Sequence, residues 1–259
     1  MSGRLACASG VDPGGGAGLA LDLRVAARLG VVTAAVPTCL TVQTRAGFVR
    51  AEPVEPGLLR AMLDAARADG DGALGAVKVG MCADAASVRV VAEWFAALCE
   101  PRPWLVVDPV LGATAGGAPA RAKDVAAELL GRLLPLGAVV TPNLDELVAL
   151  TGTRDAESGA AILLERGSSA VLVKGGHGEG QVVVDRLVTR DGERVFHHAR
   201  VSRGPVHGTG CALASGIAAR LAQGDELFAS TAAAITDVVR WIAHTRDSRD
   251  GLPDAIEVG

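Results

Sequence analysis

The sequence predicts an α/β fold, a central and mostly parallel sheet flanked by helices, and three observations carry that prediction. Short runs rich in Val, Ala and Leu alternate with amphipathic stretches. The apolar runs lack polar alternation, as strands buried on both faces do. A hairpin signal enters only after residue 176.

The elements follow in that order. A first strand ends near residue 9, and "VVTAAV" (31–36), "GAVKVG" (75–80), "WLVVD" (104–108), "GAVVT" (137–141) and "AVLVKGG" (170–176) read as further strands. Between them, "AGLALDLRVAARLG" (17–30), "PGLLRAMLDAARADG" (56–70), "DAASVRVVAEWFAALCE" (84–100) and "AKDVAAELLGRLL" (122–134) carry apolar residues at spacings of three and four, the mark of helices with one buried face. Residues 180–201 read as two strands around a turn at Asp191 and Gly192. Two apolar helices, 209–222 and 226–244, follow, and the polar start of the remaining tail predicts a loosely held end.

A chain of 259 residues, 49% hydrophobic, is long enough for a substantial core, and residues 1–259 are expected to form one domain. Lys and Arg are interspersed with Asp and Glu to a net charge of −4, which leaves no basic stripe for a nucleic acid backbone. The lack of Tyr, with only four Phe and three Trp, leaves few platforms for stacking bases. Five cysteines, odd in number and without C-x-x-C spacing, argue against a disulfide framework and against a clustered zinc site. With no signal-like start and no membrane-length apolar run, a cytoplasmic protein without membrane partners is expected.

In an open parallel sheet, ligands collect beyond the carboxyl ends of the strands. The segments expected there are "SGVDPGGGAG" (9–18), "PTCLTVQTRAG" (37–47), "KVGM" (78–81), "DPVLGATAGG" (108–117), "TPNLDE" (141–146) and "KGGH" (174–177). No G-x-G-x-x-G spacing occurs within "GVDPGGGAGLAL" and no G-K-[ST] anywhere, which removes the standard dinucleotide loop there and the Walker A phosphate loop. Glycine clusters nevertheless open helices twice, at "GGGAG" and at "HGTGC". Unpaired N–H groups and the positive dipole end make the second a credible anion cradle. Cys211 ends it, and four roles are open to a thiol there: nucleophile, metal ligand, proton acceptor or small buried residue. A helix start can pull a thiol pKa from ~8.5 into roughly the 3.5–7.5 range.

Taken together, "VDPGGGAG", "TVQT", "KVGM", "DPV", "TPN" with Glu146, "VKGGH" and "HGTGC" resemble, in the same order, the hydroxymethylpyrimidine/phosphomethylpyrimidine kinases of thiamin biosynthesis, members of the ribokinase-like superfamily. The resemblance spans about residues 4–240. It implies a three-layer α/β/α fold, ATP and Mg²⁺ as cofactors, a pyrimidine substrate phosphorylated on its CH₂OH and again as the monophosphate, and a homodimer. Cys211 would accept the hydroxyl proton while Gly208, Thr209 and Gly210 form the anion hole. Gly10, Asp22, Gln43, Met81 and Val110 would bind the pyrimidine. Lys174 would hold phosphate, Asn143 and Glu146 match an N-x-x-E associated with magnesium, and Asp108 with Glu146 would stand near the metal through water.

Elementary chemistry agrees with several of these roles. Gln43 offers a donor and an acceptor to an aminopyrimidine, and Mg²⁺ prefers oxygen ligands and retained waters. Each residue also has a plainer use: Asp22 as a solvated helix residue, Met81 as core, Asn143 with Glu146 as a capping box, His177 and His207 as loop anchors. Ala20, Arg24, Thr44 and Gly14 stand where relatives usually carry Gln, Lys, Asn and Ser, and three of these four lie beside the inferred substrate pocket. The competing activities are a pyridoxine or pyridoxal kinase on the same fold, a cysteine hydrolase using Cys211 with His207, and a non-catalytic pyrimidine-binding protein.

Overall fold

The computed structural model describes residues 3–44, 47–69, 73–112, 122–176, 180–201, 206–245 and 254–258. Nine strands form one sheet: β1 (Arg4–Val11), β2 (Thr33–Thr44), β3 (Gly47–Pro53), β4 (Leu74–Val79), β5 (Trp104–Val107), β6 (Val139–Val140), β7 (Ala170–Val173), β8 (Val182–Thr189) and β9 (Gly192–Ala199). Their order across the sheet is β3-β2-β1-β4-β5-β6-β7-β8-β9. The six from β2 to β7 run parallel, while β3 at one edge and β8 and β9 at the other run antiparallel.

Helices cover both faces. α2 (Pro56–Ala68), α3 (Ala85–Ala96), α4 (Ala122–Glu128), α5 (Leu144–Thr151) and α6 (Ala156–Glu165) enclose one core, where Leu63, Trp94, Phe95, Leu147 and Leu163 are buried. α1 (Gly18–Arg28), α7 (Thr209–Gln223) and α8 (Leu227–His244) enclose the other around Leu21, Val25, Ile217 and Trp241. Strand pleating divides the residues between them: Ala6 and Ala8 of β1 face the first core, Leu5 and Cys7 the second. No helix among the described residues is long and apolar enough to cross a membrane.

Three expectations change. The segment 37–47, read as a loop, is largely strand, because β2 continues to Thr44 and pairs with β3. Pro37 fits within β2 because β3 begins to pair only at Cys39, so its missing N–H faces no partner strand on that side. The helix 122–134 stays α-helical only to Glu128, then widens into a π turn (Leu129–Leu133) and tightens into a 3₁₀ turn (Leu134–Leu136), where Pro135 cannot donate to the ladder. The tail is docked at its end: β11 (Asp254–Ala255) pairs with β10 (Val206–His207), and Ile256 is buried.

Candidate active site

The carboxyl ends of the parallel strands open into a cleft of about 640 Å³. Gly10, Gln43, Met81 and Val110 line one end. Asp108, Asn143, Glu146, Lys174 and the Gly208–Cys211 turn line the middle, and Val183, Leu213, Ile235, Val238 and Ile242 give the other end an apolar wall. His177 lies outside the described residues.

Glycine is required where the backbones meet. A Cβ on Gly10 would lie 2.9 Å from the Cys39 Sγ and 3.5 Å from the Met81 Cβ, so the close approach of β1 to these side chains depends on a bare backbone. Gly208 has φ +90°, and a Cβ there would lie 2.1 Å from the Gly16 carbonyl oxygen. It is the N-cap of α7 and supplies no side-chain cap, so the first N–H groups of that helix are left for a ligand in the cleft.

Lys174 stands at the centre of the charged middle. Its Nζ lies 2.8 Å from Asp108 Oδ1 and 3.7 Å from Glu146 Oε2. Burial opposes the ammonium charge, but Asp108 and Glu146 overcome it and raise the lysine pKa. Burial also pushes the Glu146 carboxyl up, to about 7, with Asp108 adding to the rise against Lys174. Asp108 moves the other way: burial is outweighed by Lys174 and Lys78, and the carboxylate stays ionised. Asn143 and Glu146 form a capping box at the start of α5, Asn143 Oδ1 accepting from the Glu146 N–H at 2.9 Å and Glu146 Oε2 accepting from the Asn143 N–H at 2.8 Å. The Asn143 oxygen is therefore engaged by the helix, and the plainer of its two sequence readings is the one its geometry displays.

Asp22 is a correction. It does not line the cleft; it is fully buried beneath it. Both its oxygens lie 2.9 Å from Lys78 Nζ, and they also accept from Ser9 Oγ at 2.6 Å and Ser215 Oγ at 2.7 Å. The cause is Lys78, whose side chain leaves β4 on the face covered by α1 and α7; a buried ammonium needs a carboxylate, and removing one member of such a pair typically costs ~3–5 kcal/mol.

Cys211 departs from expectation in its acidity. Burial pushes its thiol up to about 12, and Asp108 and Asp22 reinforce the rise, while Lys78 and a hydrogen bond from the Gly18 N–H oppose it. The sequence reading also missed Asp12, Lys78 and the Asp185–His198 pair, which closes at 3.1 Å beside the cleft. A lysine inside the apolar run "GAVKVG" was the signal for Lys78, and the acid separated from the glycine run only by Pro13 was the signal for Asp12.

Comparison with known proteins agrees with this architecture. The family model described as phosphomethylpyrimidine kinase matches residues 12–251. A hydroxymethylpyrimidine/phosphomethylpyrimidine kinase from Rhizobium meliloti is 38% identical over 232 residues, covering 87% of this chain and 85% of the relative. The Escherichia coli enzyme of that name is 35% identical over 217 residues, covering 82% and 80%. Among solved structures, phosphomethylpyrimidine kinase from Clostridium difficile superposes with a TM-score of 0.77 at 27% identity, covering 93% of this chain and 99% of that one. Pyridoxal kinase from Staphylococcus aureus, with a TM-score of 0.87 at 22% identity and 100% and 94% coverage, shares the fold. The ribokinase-like layers and the match over nearly the whole chain lead to one conclusion: this protein belongs to the phosphomethylpyrimidine kinase family.

Proposed function

We propose that the chain transfers the γ-phosphoryl group of ATP to the hydroxymethyl oxygen of 4-amino-5-hydroxymethyl-2-methylpyrimidine, and then phosphorylates the monophosphate to the diphosphate. The observation that carries the reading is a single cleft lined at one end by Gln43 and Met81, in the middle by Lys174, Asp108, Glu146 and the α7 start, and at the other end by apolar side chains. Gln43 and Met81 suit the pyrimidine, Lys174 and the α7 start suit the transferred phosphate, and the apolar wall suits an adenine.

Phosphoryl transfer through a loose transition state asks mainly for positioning and charge stabilisation. Lys174 and the Gly208–Cys211 N–H groups meet that need. Cys211 takes the hydroxyl proton, and the groups that favour its thiolate are Lys78 and the Gly18 N–H. Among the described residues no group of three or more His, Cys, Asp or Glu would cage a metal. Two carboxylates, Asp108 and Glu146, beside one lysine fit magnesium held largely by water and phosphate oxygens. Bound magnesium would neutralise triphosphate charge and add positive charge that favours the Cys211 thiolate. A cytoplasmic homodimer completes the reading by family likeness.

The hydrolase alternative is disfavoured because His207, the base it would need, has its Nε2 engaged with Asp12 at 3.2 Å. The test is a substrate panel of the hydroxymethylpyrimidine, its monophosphate, pyridoxine and pyridoxal, each with Mg-ATP. ATP-dependent phosphorylation of both pyrimidines in preference to the pyridoxine vitamers is expected. Faster turnover of pyridoxal than of either pyrimidine overturns the assignment.

A further inference from the structure

The two glycine-rich helix starts meet at one side chain. Asp12, immediately after β1, accepts from the Gly14 N–H at 2.8 Å through Oδ1 and from the Ala17 N–H at 3.0 Å through Oδ2. Oδ2 also lies 3.2 Å from His207 Nε2, and Gln43 donates to the same carboxylate. These partners come from three separate parts of the cleft: the loop before α1, the end of β2 and the β10 segment that leads into Gly208.

The contacts around this carboxylate are close. A Cβ on Gly16 would lie 3.1 Å from the His207 ring and 2.8 Å from the Ala255 Cβ. The His207 carbonyl accepts from the Ile256 N–H at 3.0 Å, which holds β10 from its other side. Gly18, next along from Ala17, gives its N–H to Cys211. The Asp12 side chain is only 5% exposed. Burial alone would raise its carboxyl, but hydrogen bonds from His207, the Gly14 N–H and Gln43 hold it down at about 2. It is an anion at every working pH.

A simple loop cap would need only the Gly14 and Ala17 N–H groups. Bonds to Gln43 at the ring end and to His207 at the start of the anion hole are more than capping requires. We propose that Asp12 is a positioning residue that holds the pyrimidine end and the phosphate end of the cleft in register, acting through Gln43, His207 and the Gly18 N–H rather than on the reacting atoms. This rests on the kinase reading above.

The experiment counts two products at once, ADP released and pyrimidine phosphate formed, in the full-length protein with Mg-ATP and the hydroxymethylpyrimidine. Wild-type protein should release one ADP per phosphoester. In Asp12→Ala a misregistered hydroxyl should lower kcat by about 10²-fold, as small misplacements of reacting groups do. Water should then take part of the phosphoryl flux, so that ADP exceeds phosphoester. That ratio is a readout that lost stability alone does not move. His207→Phe keeps an aromatic ring and both loop bonds to Asp12, and it serves if the alanine variant does not fold; it should shift the ratio in the same direction by less. Asp12→Asn, which keeps an acceptor for the loop, should fall between Asp12→Ala and wild type. A ratio of one with unchanged kcat in His207→Phe and in each Asp12 variant that folds overturns the inference and leaves the kinase reading standing. A wild-type protein that makes no phosphoester removes the kinase reading, and the inference with it.

Discussion

Two glycine-rich turns open helices onto the same cleft, and the groups beside them carry opposite charge. Before α1 the turn closes on the chain's own Asp12 carboxylate, which accepts from Gly14 and Ala17. Neither α1 nor α7 has a side-chain cap, but beside the turn before α7 stands Lys174, next to Gly210. The first turn already folds around an anion from within the chain, although no side chain caps α1 itself; the second is left for an incoming phosphate. Similar composition therefore serves two ends, because what decides the use of a helix start is which charge the tertiary structure delivers to it.

The largest expected effect breaks the α7 side at its thiol. Cys211→Ala should lower kcat by ~10²–10⁴, the usual loss for a positioned proton acceptor, with the KM for ATP unchanged. Wild-type kcat in that variant would return Cys211 to a packing role. The same thiol should alkylate with a pH midpoint above the ~8.5 of a free cysteine, because burial holds its pKa near 12. The sign follows from the charged form: thiolate is the reactive species and burial disfavours it, so reactivity rises only at alkaline pH, most clearly in a Cys99→Ser background that removes the exposed cysteine. A midpoint below neutrality would mean that the helix dipole outweighs burial.

Next in size is Gly210→Val. A Cβ there would lie 3.1 Å from Lys174 Nζ and 3.7 Å from Asp108 Oδ2, so the methyl groups would intrude where phosphate oxygens approach the helix start. Losing one such donor costs ~10²–10³ in kcat in well-studied enzymes, and full activity would show that no phosphate sits there. Gln43→Leu acts on the ring end and also removes one hydrogen bond to Asp12. Binding of the pyrimidine should weaken by ~1–3 kcal/mol, seen as a raised KM for both pyrimidines, and an unchanged KM would remove Gln43 from the site.

The smallest effect is expected on the self-filled side. Gly15 has φ +69° and nothing within 4 Å of a built Cβ, so Gly15→Ala meets backbone strain and no collision. A loss of about 1 kcal/mol of stability with kcat retained is expected, read from thermal melting and the same assay. A kcat loss as large as that of Gly210→Val would mean that both turns bind phosphate and would erase the contrast between them.

Periodicity alone determined much of this protein. Continuous apolar runs could only be strands covered on both faces, the hairpin at Asp191 and Gly192 needed only its local turn chemistry, and the "HGTGC" helix start was legible because unpaired N–H groups belong to any helix end. The β2 extension was not legible, since the strand continues through Pro37 only because β3 is absent beside it there. Nor were the pairings of charge. Asp22 on a helix reads as solvated until Lys78, 56 residues away, is buried against it, and Asp12 and His207 stand 195 residues apart in the chain. Such partners meet through the order of strands across the sheet, which local sequence does not encode. The acidity of Cys211 was decided in the same way: its place at a helix start is local and was readable, but the desolvation that dominates its pKa comes from everything packed around it.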